Sequence, residues 1–248
     1  MVLYSHIKKK KMEKEELRLH IEKIINETFI TIDNLYKTNR ECPHNGHFVS
    51  RESRLVFPKY RGKEEVRLSE QEIRFLFIEK FNKYCSEKKL NLFYSIETPS
   101  EERYNFSQRP KKHCSSKKDK GESAQFDMVI YDESKERVCL IEFKNNKNDA
   151  GEYEKDFLKL SVEGSDDFLC YFISIAESSN SGTIGEKSDT RGIIPKFKSF
   201  KNNNEISFNN ITYICHCINN RGKGFDTIYA GTVKGDFKWK EKSELFEK

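Results

Sequence analysis

The run QFDMVIYDESKERVCLIEFKNN, residues 125–146, puts Asp127 in one apolar segment and Glu142 and Lys144 in the next. Charge inside a buried segment is costly unless something neutralises it. Both segments have strand character around the polar turn DESKE, so they read as a β-hairpin. With the turn centred on Ser134 and Lys135, Asp127 stands opposite Glu142, and Gln125 opposite Lys144. Facing residues of an antiparallel pair project to one side, and the period of two adds Lys144 to the side of Glu142. Phe126, Met128, Ile130, Cys139, Ile141 and Phe143 take the other, apolar side, and a slip of one residue would exchange the two sets. Opposed carboxylates repel each other, and a divalent cation turns that repulsion into a binding site. Mg²⁺ needs only one or two carboxylates when water and phosphate complete its shell. A neighbouring lysine supplies fixed positive charge for a developing anion. These are the parts of a metal-dependent phosphodiesterase. The competing reading is a half-exposed sheet with solvated charges. Val129 and Leu140 share the charged side and argue that this side is covered.

Several elements must position these residues. LSEQEIRFLFIEKFNKYCSEKK is the strongest helical segment, with Ser69 as N-cap and Glu72 completing a capping box. Glu70 shares a face with Ile73, Phe77 and Phe81, which aims it inward. LNLFYSIET (90–98) reads as a strand ended by Pro99, and residues 99–124 as a polar loop. After the hairpin, YEKDFLKLSVEG (153–164) is a short helix stopped by Gly164, and FLCYFISIAES (168–178) is an apolar strand. IIPKFKSF reads as a short helix, and ITYICHCIN and DTIYAGTVK as closing strands. Upstream, Leu17, Ile21, Ile24 and Ile25 mark an amphipathic helix over residues 12–29. The order predicts one α/β domain, a mixed sheet flanked by helices over residues 63–240, with residues 1–62 an N-terminal helical and irregular arm.

Asp127 in FD, followed by Glu142, Phe143 and Lys144 in IEFK, resembles the PD-(D/E)XK nuclease superfamily, with its restriction-endonuclease-like fold. Phe126 stands where the family motif writes Pro. The resemblance spans about residues 69–176 by order of elements. It implies that Asp127 and Glu142 bind Mg²⁺, or Mn²⁺ as a substitute. It also implies that the main-chain carbonyl of Phe143 assists and that Lys144 helps activate water. A glutamate from the preceding helix joins the site in this family; Glu70 is the first choice and Glu72 the second, and both also favour a helix N-terminus electrostatically. The helix after the Glu-x-Lys strand corresponds to YEKDFLKL. There Lys155 is the phosphate-contact candidate, while Lys159 reads as part of a solvated face. Gln125, at the metal end, is placed either to orient water or phosphate or to cap a strand. The implied function is hydrolysis of nucleic-acid phosphodiesters, DNA ahead of RNA, with restriction of foreign DNA as a natural setting. The competing function class is a non-catalytic nucleic-acid-binding or partner-binding module that keeps the fold. A homodimer is compatible with either.

The basic stretch with Arg109, Lys111, Lys112, Lys117, Lys118 and Lys120 suits a nucleic-acid backbone as well as it suits a solvated loop. Cys42, His44 and His47, and Cys215 and Cys217, lack the paired spacing of a zinc site, and strand alternation turns His216 away from its cysteine neighbours. No phosphate-cradling glycine loop occurs, so ATP is not expected. Across 248 residues, 34% are charged with a net charge of +5, which permits a polyanionic partner without requiring one. Only 35% are hydrophobic, but 19 Phe and 11 Tyr supply core area. No stretch has the length and apolarity of a membrane span, and the basic opening lacks the apolar segment of a secretory signal. Seven Cys without a regular framework read as reduced thiols of a cytoplasmic protein.

Overall fold

The computed structural model describes residues 12–41, 53–55, 57, 69–108, 110–115, 121–145, 150–164, 168–178, 192–200, 203–207, 210–219, 227–232, 238–241 and 246. Four helices are α1 (Lys14–Glu41), α2 (Glu70–Lys88), α3 (Ala150–Glu163) and α4 (Ile193–Phe200). The strands are β1 (Phe93–Asn105), β2 (Lys112–His113), β3 (Glu122–Tyr131), β4 (Arg137–Asn145), β5 (Leu169–Ser178), β6 (Ile211–Asn219), β7 (Thr227–Thr232) and β8 (Lys238–Glu241). They form one mixed sheet in the order β2-β1-β3-β4-β5-β6-β7-β8. The central β4, β5 and β6 run parallel, with α3 making the first crossover, and the remaining pairs are antiparallel. Strands buried on both faces need no alternation, and β4 is buried at every residue but its first.

The sheet divides two apolar cores. On one side Ile73, Phe77 and Phe81 of α2 and Ile21, Ile25 and Phe29 of α1 pack over Met128, Ile130, Ile141 and Phe143. On the other side Tyr153, Phe157 and Leu160 of α3 and Phe197 and Phe200 of α4 pack over Val129, Leu140, Phe172 and Tyr213. The α/β class and the flanked mixed sheet are as the pattern of elements predicts. Helix α1 is longer than its expected span and lies within the first core rather than standing off as an arm, because its stripe of Leu17, Ile21, Ile24, Phe29 and Ile32 is sealed there.

Three departures bear on the site. Strand β1 runs through Pro99, which faces Gln125, and continues past an irregularity before Arg103. β2 reaches only Tyr104 and Asn105, so Pro99 lies on the open edge, where a missing N–H breaks no ladder bond. The expected loop over residues 99–124 therefore contains the second half of β1, then β2 and the start of β3. Phe126 sits in the α3-side core with Ala124, not with Met128 and Phe143. β8 was not anticipated. No helix among the described residues is long and apolar enough to cross a membrane.

Candidate active site

Over three pairs the β3–β4 hairpin has the expected register, with Met128 facing Ile141, Val129 facing Leu140 and Ile130 facing Cys139. The expected facing pairs Asp127–Glu142 and Gln125–Lys144 fall beyond the ladder, because the strands part there. At the closed end the register shifts at Tyr131, which pairs with Arg137. There the Asp132 carboxylate accepts the Ser134 and Glu136 N–H groups at 2.8 and 3.0 Å, so an Asx turn replaces a two-residue one. At the other end the ladder stops after Met128 and Ile141. The Phe143 N–H donates instead to the Asp127 carboxylate at 2.7 Å. β3 goes on pairing with β1 as far as Glu122, while β4 goes on pairing with β5 as far as Asn145.

A cleft of about 360 Å³ opens where the two strands part. Asp127, Glu142 and Lys144 line it, with Gln125 and Glu97 on the β1–β3 wall and Lys155, Asp156 and Lys159 on the α3 wall. The three motif residues thus share one cleft.

Behind this opening lies a buried ion network. Lys159, 2% exposed, reaches Glu142 at 2.7 Å and Asp156 at 2.9 Å, and donates to the Gln125 carbonyl at 2.7 Å. The other oxygen of Asp156 holds the Lys144 ammonium at 2.7 Å. Burial opposes charge on Lys144, but Asp156, and then Glu70, outweigh it and hold its pKa above the ordinary lysine value. Lys159 is raised in the same way, with Glu142 and then Asp156 overcoming desolvation. Burial pushes Glu142 well above the usual glutamate range, against the pull of Lys159. Asp127 is also raised by burial, partly offset by the Phe143 N–H. For Asp156 burial works upward, yet Lys159 and Lys144 prevail and hold its carboxyl below the aspartate value.

The expectation that Lys159 lies on a solvated face is overturned. Nearly the whole of α3 from Tyr153 to Leu160 is buried, and an ammonium packed there needs carboxylate partners. Asp156 is a site residue that the sequence reading passed over. Its signal was an Asp–Lys pair at i, i+3 beside the apolar Tyr153, Phe157 and Leu160. Arg74 was also passed over: it contacts Glu97 and Gln71 and lies 3.7 Å from Asp127. Glu97 has φ 49°, a left-handed conformation rare outside glycine, on the β1 wall of the cleft.

Glu70 points inward and accepts the Asn145 N–H at 3.1 Å, at the end of β4; it is not among the cleft-lining residues. Glu72 accepts the Ser69 N–H at 2.8 Å in the expected capping box. Lys155 lines the cleft with its ammonium 4.9 Å from the Phe106 ring centre. Lys111 gives its N–H to Glu154 and its ammonium to the Phe106 carbonyl, and Lys112 is exposed on the edge strand β2; neither lines the cleft. Arg109, Lys117, Lys118 and Lys120 lie outside the described residues, as do Cys42, His44 and His47. Cys215 and Cys217 face the α3-side core, whereas His216 turns to α1 and contacts Asp33 at 2.8 Å. The six described cysteines are all free.

Among the described residues no three carboxylate, imidazole or thiol groups converge as a metal cluster. The donor set fits a different kind of site: two carboxylates of raised pKa, Asp127 and Glu142, at one cleft. That number suffices for Mg²⁺ when water and phosphate fill the other positions. Comparison with protein-family models, with curated proteins and with solved structures finds no match.

Proposed function

We propose that this chain is a metal-dependent nuclease of the PD-(D/E)XK kind, with the restriction-endonuclease-like fold, hydrolysing nucleic-acid phosphodiesters with DNA as the expected substrate. The observation that carries this reading is the convergence of Asp127, Glu142 and Lys144 at the cleft where β3 leaves β4. An open strand pair does not by itself call for two carboxylates and an ammonium group. Their desolvation is costly, and a substrate that needs them supplies the reason.

Asp127 and Glu142 would hold a divalent cation, Mg²⁺ or Mn²⁺, whose chemistry when bound is to polarise the phosphate and to lower the pKa of a water. The Phe143 N–H fixes one oxygen of Asp127, so that carboxylate is oriented before anything binds. Lys144 is a standing cation: Asp156 keeps its ammonium charged. Its work is therefore to bind negative charge on the phosphate rather than to take a proton. Gln125, exposed at the cleft wall, would orient a phosphate oxygen with its amide. Lys155 would meet the adjoining phosphate. Glu70 would act on the strand end through Asn145 rather than on the cation. The main-chain carbonyl of Phe143 remains the family-implied additional oxygen.

One observation favours a second reading, a non-catalytic nucleic-acid-binding module: Lys159 already sits on Glu142 as a counter-ion. Cleavage of plasmid, linear and single-stranded DNA and of RNA, with Mg²⁺, Mn²⁺ or EDTA, separates the two. The nuclease reading expects metal-dependent cleavage that disappears in Lys144→Ala. Absence of cleavage in every condition, together with no calorimetric signal for Mg²⁺, would establish the module instead.

A further inference from the structure

We infer that Asp156 is a positioning residue of this site, drawing Lys144 away from Glu142 and sharing the Lys159 charge with it, so that Glu142 keeps negative charge for a divalent cation. This rests on the nuclease reading above and adds to it a residue outside the Asp, Glu-x-Lys motif.

The argument starts from charge. Behind the cleft two carboxylates, Glu142 and Asp156, balance two ammonium groups, Lys144 and Lys159. Lys159 has three N–H donors, and three acceptors meet it: Glu142, Asp156 and the Gln125 carbonyl. It therefore joins β3, β4 and α3 at the point where β3 and β4 part. Lys144 is different. It lies two residues beyond Glu142 on the same side of β4 and within electrostatic reach of it, yet its ammonium is drawn to Asp156 at 2.7 Å. Asp156, 3% exposed on the cleft wall, divides its two oxygens between the lysines.

Take away the Asp156 charge and the two ammonium groups are left with one buried carboxylate, Glu142, with Glu70 outside the cleft also acting on Lys144. Lys144 is then shared between Glu70 and the buried Glu142, and Lys159 loses the anion that shares its charge. Both changes make the surroundings of Glu142 more positive, and a divalent cation is repelled where it was attracted. Both Asp156 oxygens are taken up by the lysines. Asp156 acts through the lysines.

The test measures Mn²⁺ binding to the full chain without nucleic acid, by the electron paramagnetic resonance signal of free Mn²⁺. Asp156→Asn keeps the side-chain shape and should weaken binding about tenfold, the size of a strong pairwise coupling. Lys144→Met alone should bind at least as tightly as wild type. Asp156→Asn combined with Lys144→Met should return to within about threefold of wild type, since the surplus ammonium is gone. A residue of merely structural importance would not be rescued in this way. If Asp156→Asn does not fold, Asp156→Ser takes its place in the same cycle. Wild-type binding with no loss in Asp156→Asn, or a double variant as weak as the single one, overturns the inference and leaves the nuclease reading standing. No Mn²⁺ binding by the wild type overturns the inference, and if cleavage is absent as well it overturns the nuclease reading too.

Discussion

On the α1–α2 face of the sheet, buried polar contacts among the described residues join His216 to Asp33 at 2.8 Å and Tyr171 to Glu22 at 3.2 Å. On the α3 face, beside pairs such as Ser174–Tyr213 and Asn203–Glu154, four charged groups form one connected network, Glu142–Lys159–Asp156–Lys144, that ends in an open cleft. Each pair on the first face ties α1 to a strand, and His216 is also stacked on Phe29 at 4.6 Å. Such contacts serve docking: they satisfy polar groups inside an apolar layer. The second arrangement is poorly suited to stability alone, since apolar residues of similar volume often replace buried ion networks without loss. The difference indicates that the first face is built to hold the fold together and the second to keep charge available to something outside the chain.

The largest contrast should appear in catalysis. Glu142→Gln and Asp127→Asn are expected to lower Mg²⁺-dependent cleavage by about 10³-fold or more, the scale of losing a principal electrostatic group. Asp33→Asn on the opposite face should leave cleavage per folded molecule unchanged. Equal losses on both faces, measured by initial rates on plasmid DNA, would erase the distinction.

Stability should separate the faces next. Lys159→Met leaves Glu142 and Asp156 buried with less counter-charge and should cost about 3–5 kcal/mol. Asp33→Asn weakens the contact with His216 and should cost about 1–3 kcal/mol. Urea unfolding midpoints compare the two directly, and the reverse ranking would show that the network is not the more tightly interdependent region.

The pH dependence of cation binding should come from the cleft face. Burial raises Asp127 and Glu142 above their ordinary values of 3.8 and 4.5. Without metal, the folded chain therefore loses their favourable contribution as pH rises from those values through the higher folded ones. Cation binding needs the ionised forms, so it strengthens over the same rise. The gain in melting temperature from excess Mg²⁺ should be larger at pH 8 than at pH 5, and a larger gain at pH 5 would contradict the assignment of these carboxylates as ligands.

The smallest effect concerns the rim. Lys155→Ala should reduce the salt dependence of DNA binding by about one phosphate contact. Lys112→Ala, on the far edge strand, should leave the slope nearly unaltered. Fluorescence anisotropy across a salt series, with Ca²⁺ in place of Mg²⁺, reads both slopes.

Much of the cleft was legible before the fold was known. The alternation through Met128–Ile130 and Cys139–Ile141 admits one register that keeps the apolar residues together, and that register is the one found. Ser69 and Glu72 marked the start of α2 through a local hydrogen-bond pattern. Pro99 misled because its consequence depends on whether a neighbouring strand needs its N–H, and β2 is too short to reach it. Phe126 misled because β3 stops pairing with β4 after Met128, and the alternation read from the hairpin does not carry past that point. Lys159 misled because a lysine two residues beyond a buried phenylalanine looks solvated until its carboxylate partners are placed.

By itself the chain of residues determined what local periodicity and short-range hydrogen bonding can determine: the hairpin, its register, the capped helix α2, and Glu142 and Lys144 on one side of a strand. Only the tertiary structure decided that β3 and β4 part at Asp127, that α3 is buried against the opening, and that Asp156 and Lys159 complete the charges there. The physical reason is range. A period of two or a capping box is set within a few residues, whereas a buried charge is defined by partners that the chain brings together only when its distant segments pack.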